Sequence, residues 1–295
     1  MKKAIVFGGS GFLGSYVADE LTVRGYGVVV ADIAKSKYLL KEQEFVNCDI
    51  LDRDGVNELL KGADCVYNFA GLANIAIAMN DPFKTVELNV VGNLNILEAS
   101  KNNKIKRFIY ASSAYAVSNK GSFYGISKHA SEKLTEEYGR KYGLPFTVIR
   151  YGSLYGERAD SSNYILSVLK EAVATKKITM VGSGEEIREY IHVSDAAKLS
   201  VDILANEYAN QHIILTGTES IKRKDLFGMI GEIFGGHIRL ETKDADYDGH
   251  YKVTPYSFHP LSAKKLVANP YVDFGQGLIR CIKHIYEESG FEFEE

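Results

Sequence analysis

The chain has no tryptophan and, in 295 residues, only three cysteines, four methionines and five prolines. Cys48, Cys65 and Cys281 lie far apart and form no C-x-x-C pair. That argues against a disulfide framework or a metal site and fits a reducing, cytoplasmic setting. No run of 18 apolar residues occurs, and the apolar stretch 4–7 is too short for a signal peptide, so neither a membrane span nor export by that route is expected. An excess of basic charge is missing too. Thirty-five Lys and Arg stand against 38 Asp and Glu, a net charge of −3, with the basic residues scattered. Binding to nucleic acid or docking on an anionic membrane is therefore disfavoured.

What remains is a globular composition, 45% hydrophobic and 25% charged with 27 glycines, long enough for one large or two modest domains. Short β-branched runs alternate with segments of helical period, the pattern of βαβ units feeding a parallel sheet. Strands are predicted at 3–7, 27–31, 45–47, 65–69, 107–112 and 145–150. Helices are predicted at 13–24, 54–61, 85–102 and 122–142. After Tyr155 the regularity falls off: a helix at 164–176 and a strand at 212–216 stand among mixed short elements. The expected fold is α/β, a doubly wound, Rossmann-type parallel sheet over residues 1–156 with segments returning around 190–216. A smaller C-terminal α/β substrate-binding region is expected at 157–189 and 217–295.

The first strand runs into Gly8-Gly9-Ser10-Gly11-Phe12-Leu13-Gly14. Glycines where a strand turns into a helix permit positive φ and let a pyrophosphate approach the backbone amides of the helix N-terminus. A glycine-rich turn without ligand has the same composition, so context decides. Asp32, at the end of the second strand and eighteen residues beyond Gly14, can accept hydrogen bonds from ribose hydroxyls and would repel a 2′-phosphate. NAD is expected rather than NADP. Asp49 and Ile50 either hold the adenine edge or cap the helix that follows.

Tyr124-Gly125-Ile126-Ser127-Lys128 sets a phenol and an ammonium one helical turn apart. The spacing alone also fits a surface pair. Its place is informative: it opens the helix after the fifth strand, eleven residues beyond Ser113, which sits at the carboxyl edge where open α/β sheets bind ligands. Hydride loss from a secondary alcohol needs a base for the hydroxyl proton, and an ordinary phenol is too protonated at neutral pH. Lys128 supplies a cation that favours the phenolate, and the Ser113 hydroxyl can orient the same substrate oxygen.

With these residues the chain resembles the extended short-chain dehydrogenases/reductases of the NAD-dependent epimerase/dehydratase family, which act on nucleotide-diphosphate sugars. The likeness rests on the glycine loop, Asp32, Asp49-Ile50, Phe69-Ala70-Gly71, Asn89-Val90-Val91-Gly92, Ser112-Ser113, Tyr124 with Lys128, Arg150-Tyr151, Leu154-Tyr155-Gly156 and Arg188-Glu189-Tyr190-Ile191-His192-Val193. It implies NAD held by Gly8, Gly11, Phe12, Leu13, Gly14, Asp32, Asp49, Ile50, Phe69, Ala70, Gly71, Asn89, Lys128 and Tyr151. It further implies catalysis by Ser113, Tyr124 and Lys128, a sugar nucleotide touched by Ser113, Tyr124, Ser153, Arg188 and Lys252, and a homodimer built through the helices at 85–102 and 122–142. Arg188 would grip the diphosphate with its forked donors; a salt bridge to Glu185 or Glu186 is its alternative. His192 is expected to be structural.

The chain also departs from the family pattern. Ala114-Tyr115 stands where dehydratases carry Asp-Glu, which disfavours dehydration, and the stretch from Ser113 to Tyr124 is short for a sugar epimerase. Ser153 replaces an Asn, and His250-Tyr251-Lys252 replaces a later arginine. The expected activity is epimerisation of a nucleotide-diphosphate sugar, at C4 through a transient keto-sugar. Net oxidation or reduction by the same residues, and a non-catalytic NAD-sensing module, are the alternatives.

Overall fold

The aliphatic runs of the first half become strands covered on both faces. The computed structural model describes residues 1–243, 252–253 and 263–290. In chain order the first half gives β1 (Lys3–Phe7), α1 (Phe12–Val23), β2 (Gly27–Asp32), β3 (Glu44–Asn47), α2 (Arg53–Leu59) and β4 (Cys65–Asn68). There follow α3 (Ile75–Asn80), α4 (Pro82–Val86), α5 (Gly92–Asn102), β5 (Arg107–Ser113), α6 (Ser122–Tyr142) and β6 (Phe146–Tyr151). The remainder gives β7 (Ser153–Tyr155), α7 (Tyr164–Thr175), β8 (Lys177–Val181), β9 (Ile187–His192), α8 (Val193–Asp202) and β10 (Gln211–Leu215), then β11 (Ser220–Lys222), α9 (Arg223–Ile233), β12 (Arg239–Lys243), β13 (Lys264–Leu266) and α10 (Phe274–Ser289).

Eight strands form one sheet in the order β13-β10-β6-β5-β4-β1-β2-β3, every pairing parallel. The order reverses between β1 and β4, so the crevice at their carboxyl ends is the expected place for a ligand. Alternate residues of β1 face opposite layers. Ala4 and Val6 pack with Val17, Leu21 and Ala196 of α1 and α8, whereas Ile5 and Phe7 pack with Val56, Ile96 and Leu97 of α2 and α5. A third core joins α7, α9 and α10 to Tyr155 and Tyr190. Among the described residues no helix is long and apolar enough to cross a membrane.

Two differences from the sequence reading have local causes. The single helix expected at 85–102 is three pieces: α4, begun by Pro82 and capped by Asp81, a π-helical turn at Glu87–Val91, and α5. The π turn carries Asn89, whose carboxamide bonds the backbone N–H and C=O of Leu72 at 2.7 and 3.0 Å. The sheet also takes in β13, paired in parallel with β10, a segment the sequence reading placed in the substrate region.

Candidate active site

The glycines of the β1–α1 loop are needed for close approach. Gly8 has φ +69°, and a Cβ there would lie 2.6 Å from the Ala70 nitrogen; one on Gly14 would lie 2.2 Å from the Gly8 carbonyl oxygen. The loop is therefore pressed between α1 and the segment after β4. Helix α1 starts from Gly11 with no side-chain cap and no acidic residue in its first turn, which leaves its amide groups for an anion. Asp32 accepts from the Ser10 N–H at 3.0 Å and the Ile33 N–H at 2.8 Å. Its carboxylate is thus fixed beside the loop with acceptor capacity left for ribose hydroxyls. An unobstructed helix start, a side-chain-free cradle and a fixed carboxylate fit a dinucleotide.

The glycine loop opens onto a cleft of about 900 Å³ lined by Gly8, Gly11, Phe12, Leu13, Gly14, Phe69 and Gly71 on one side. Its floor is Ser113, Tyr124 and Lys128, brought together from the end of β5 and the first turns of α6. Lys128 is buried and donates to the Ala111 carbonyl at 2.9 Å; its ammonium lies 5.8 Å from the Tyr124 ring centre. Burial pushes its pKa down to about 8, against a smaller upward pull from Glu132. Ser113 Oγ accepts from the Tyr115 N–H at 3.3 Å and caps the 3-10 turn Ala114–Val117. This turn fills the short Ser113–Tyr124 connection, and Tyr115 sits where a Cβ on Gly121 or Gly125 would collide. Both glycines are required for the turn to fold down onto α6.

Ser153 and Arg188 line the opposite side of the cleft, along with Asn163, Tyr164, Glu186, Tyr190 and Arg223. Arg188 Nη1 donates to the Ile187 carbonyl at 2.9 Å, while Glu185 pairs with Lys222 and Lys224 and Glu186 with Arg223. Sequence reasoning missed Arg223, which sits between two lysines in a polar run, and Tyr115; no motif marks either. Tyr151 lines the cleft too, with its hydroxyl turned inward to Ser200 Oγ at 2.6 Å.

Asp32, Asp49, Ile50, Ala70, Asn89 and Lys252 do not line the cleft. Asp49 accepts from the Leu51 N–H at 2.9 Å, whereas Asp52 caps α2. Ile50 is packed against Gly92. Asn89 sits beneath, tying Leu72 to Ser127 Oγ (2.9 Å) and, through its carbonyl, to Ser131 Oγ (2.7 Å); it steadies the loop carrying Ala70 and Gly71 against α6. The Lys252 side chain is exposed and its carbonyl accepts from the Ile187 N–H at 2.9 Å; His250 and Tyr251 lie outside the described residues. His192 caps α8 and pairs with Glu157 at 3.3 Å.

Residues 4–217 match the model of the NAD dependent epimerase/dehydratase family. The chain belongs to this family. It is a nucleotide-sugar enzyme of the short-chain dehydrogenase/reductase type with NAD as cofactor. A Methanocaldococcus jannaschii protein provisionally named a UDP-glucose 4-epimerase is 26% identical over 94% of this chain and 96% of its own. A UDP-N-acetyl-alpha-D-glucosaminuronate decarboxylase of Bacillus cytotoxicus is 30% identical over 75% of this chain and 76% of its own. The fold matches that of the Bacillus cereus UDP-glucuronic acid 4-epimerase, solved with UDP-glucuronic acid and NAD, at a TM-score of 0.83, with 23% identity and coverage of 97% of this chain and 99% of that one.

Proposed function

We propose that this chain is an NAD-dependent nucleoside-diphosphate-sugar epimerase acting at C4. The observation that carries the reading is one cleft holding the glycine cradle on one side and Ser113, Tyr124 and Lys128 on its floor. Tyr124 accepts the proton of the sugar hydroxyl and later returns it. Lys128 stabilises the phenolate that forms meanwhile, and Ser113 orients the reacting oxygen. NAD would supply the hydride acceptor and donor for the sugar carbon. Gly8, Gly11 and Gly14 with the start of α1 would hold its pyrophosphate, Asp32 its adenosine ribose, and Lys128 its nicotinamide ribose. Arg188 takes the substrate diphosphate. The printed activities of the relatives, two 4-epimerases and a decarboxylase of UDP-sugars, support a UDP-sugar as substrate.

We also place the protein in the cytoplasm as a homodimer. The three cysteines are free and buried, which suits a reducing setting. Phe83 of α4 and Ile126 of α6 are 90% and 66% exposed on neighbouring helices, which suits burial against a second copy.

Incubation with a panel of UDP-sugars tests the activity. The expected result is interconversion of C4 epimers with no net absorbance change at the reduced-nicotinamide band. Stoichiometric change would instead mean a dehydrogenase or reductase, carbon dioxide from a uronic acid a decarboxylase, and NAD binding without turnover a sensor. Tyr124→Phe is expected to lower kcat by about 10²- to 10⁴-fold with NAD still bound.

A further inference from the structure

Beneath the active-site floor lies a buried charge pair that the proposed chemistry does not use. Glu132, fully buried on α6, is bound by both arms of Arg150 on β6: Nε donates to Oε1 at 2.9 Å and Nη2 to Oε2 at 2.8 Å. A third donor, Ser112 Oγ, reaches Oε1 at 2.6 Å. Ser112 and Arg150 are direct partners in the β5–β6 register. The carboxylate therefore staples α6 to two adjacent strands at once.

Its position gives the staple a consequence. Three consecutive residues of β5 meet the active-site helix or its chemistry: the Ala111 carbonyl takes Lys128, Ser112 takes Glu132, and Ser113 faces the cleft. Glu132 is four residues after Lys128 and eight after Tyr124, on the same face of α6. Sliding or rolling the helix to move the phenol would also stretch the staple. Burying two charges is an expensive way to gain stability alone, since apolar pairs of similar size serve as well.

We propose that Glu132 is a positioning residue of the proposed reaction: clamped by Arg150 and Ser112, it fixes the turn of α6 that carries Tyr124 and Lys128 against Ser113 and serves as the anionic neighbour of the Lys128 ammonium. The proposal rests on the epimerase reading only for its kinetic arm. The charged and titratable groups around Glu132 are Arg150 from β6, Tyr110 from β5, Lys128 on its own helix, and His212 from β10, whose Nδ1 lies 3.9 Å away and whose Nε2 pairs with Glu136 at 2.9 Å. The Tyr110 and Tyr124 rings flank the Lys128 ammonium. Burial lowers the Lys128 pKa and, among the described residues, the Glu132 charge opposes it, so removing that charge lowers it further.

Two variants of the full chain test this. In Glu132→Gln, the Lys128 side-chain titration, followed by NMR of isotope-labelled lysine and assigned by its loss in Lys128→Met, is expected to move to lower pH by at least half a unit. An unmoved titration overturns the proposal, and this arm needs no substrate. In the double variant Glu132→Met/Arg150→Met, which removes both partners of the clamp together so that neither is left without the other, kcat is expected to fall at least tenfold with KM and NAD affinity within about threefold. A folded double variant with unchanged kcat overturns it. Absence of turnover in the unaltered protein would instead count against the epimerase reading while leaving the NMR result to decide the role of Glu132.

Discussion

The Lys128 ammonium and the Ala111 carbonyl are 2.9 Å apart in a buried site, so the cation proposed to activate the base is held in place by the chain's own backbone. Holding it there opposes folding. Burial lowers its pKa from 10.5 to about 8, so between those values the unfolded chain keeps a proton that the folded chain has lost. Stability of the ligand-free protein therefore rises as pH rises from 8 toward 10.5, and the full penalty, on the order of 3 kcal/mol, is present below pH 8. Lys128→Met is expected to melt several degrees higher at pH 7 even after loss of the Ala111 hydrogen bond, worth about 1 kcal/mol, and to have no turnover. Calorimetry at pH 7 and 9.5 checks this: the gain shrinks at the higher pH, and an equal gain at both would refute the account.

The Gly14–Gly8 contact gives a second expectation. A methyl group at Gly14 meets backbone at 2.2 Å, whereas one at Gly228 in α9 meets nothing within 4 Å. Gly14→Ala must push α1 off the loop, at a cost of about 1–3 kcal/mol, and is expected to weaken NAD binding at least tenfold in a calorimetric titration. Gly228→Ala keeps NAD affinity and gains up to about 1 kcal/mol from helix propensity. Equal NAD affinities in the two variants would mean that the cradle is not where the dinucleotide sits.

How far the sequence can be read depends on what holds each element. Strands such as Lys3–Phe7 are covered on both faces and read as plain apolar runs, and α6 is bounded at both ends by Gly121 and Gly143 in left-handed conformation. The parallel sheet follows from the βαβ pattern, and the floor residues follow from the place of Ser113 at the end of a strand and of Tyr124 and Lys128 at the start of the helix after it. The π turn was not legible because it is imposed by the Asn89 bonds to Leu72, residues seventeen apart. Nor was Arg223, whose place in the cleft is set by packing of α9 in a separate core. α10 was readable and was missed: Phe274, Leu278, Cys281, Ile282 and Ile285 form a helical stripe, all buried in that core.

Glu157 leads to an acid-side expectation. Burial would raise its pKa, but hydrogen bonding and charge from His192 together with Arg280 outweigh that and hold it at about 2. Tyr16 Oη also donates to it, at 3.1 Å, so one carboxylate links α1, α8 and α10. A depressed carboxylate contributes stability that is complete above its ordinary value of 4.5 and is lost as pH falls toward 2. Glu157→Gln is expected to lower stability at pH 7 and to flatten the decline below pH 4.5, read from urea unfolding midpoints at pH 7, 5 and 4. A variant whose midpoint falls with pH as steeply as that of the unaltered protein would remove Glu157 from the acid response.

The proposed dimer face is the last expectation. Ile126 is two residues before Lys128 on α6, is not among the residues that line the cleft and is 66% exposed, while Phe83 on α4 is 90% exposed. Helix α4 packs on α6, so Ile126 and Phe83 stand on neighbouring helices, and a second copy seated there would keep both from water. Ile126→Glu should leave the monomer fold intact, because the side chain makes little buried contact, yet place a charge in the middle of the interface. Light scattering coupled to size exclusion is expected to show a dimer for the unaltered chain and a monomer, or at least a tenfold weaker dimer, for the variant. NAD binding should persist in the monomer, since the cradle at Gly8, Gly11 and Gly14 is built wholly from one chain. A dimer equally tight in both would put the interface on another face.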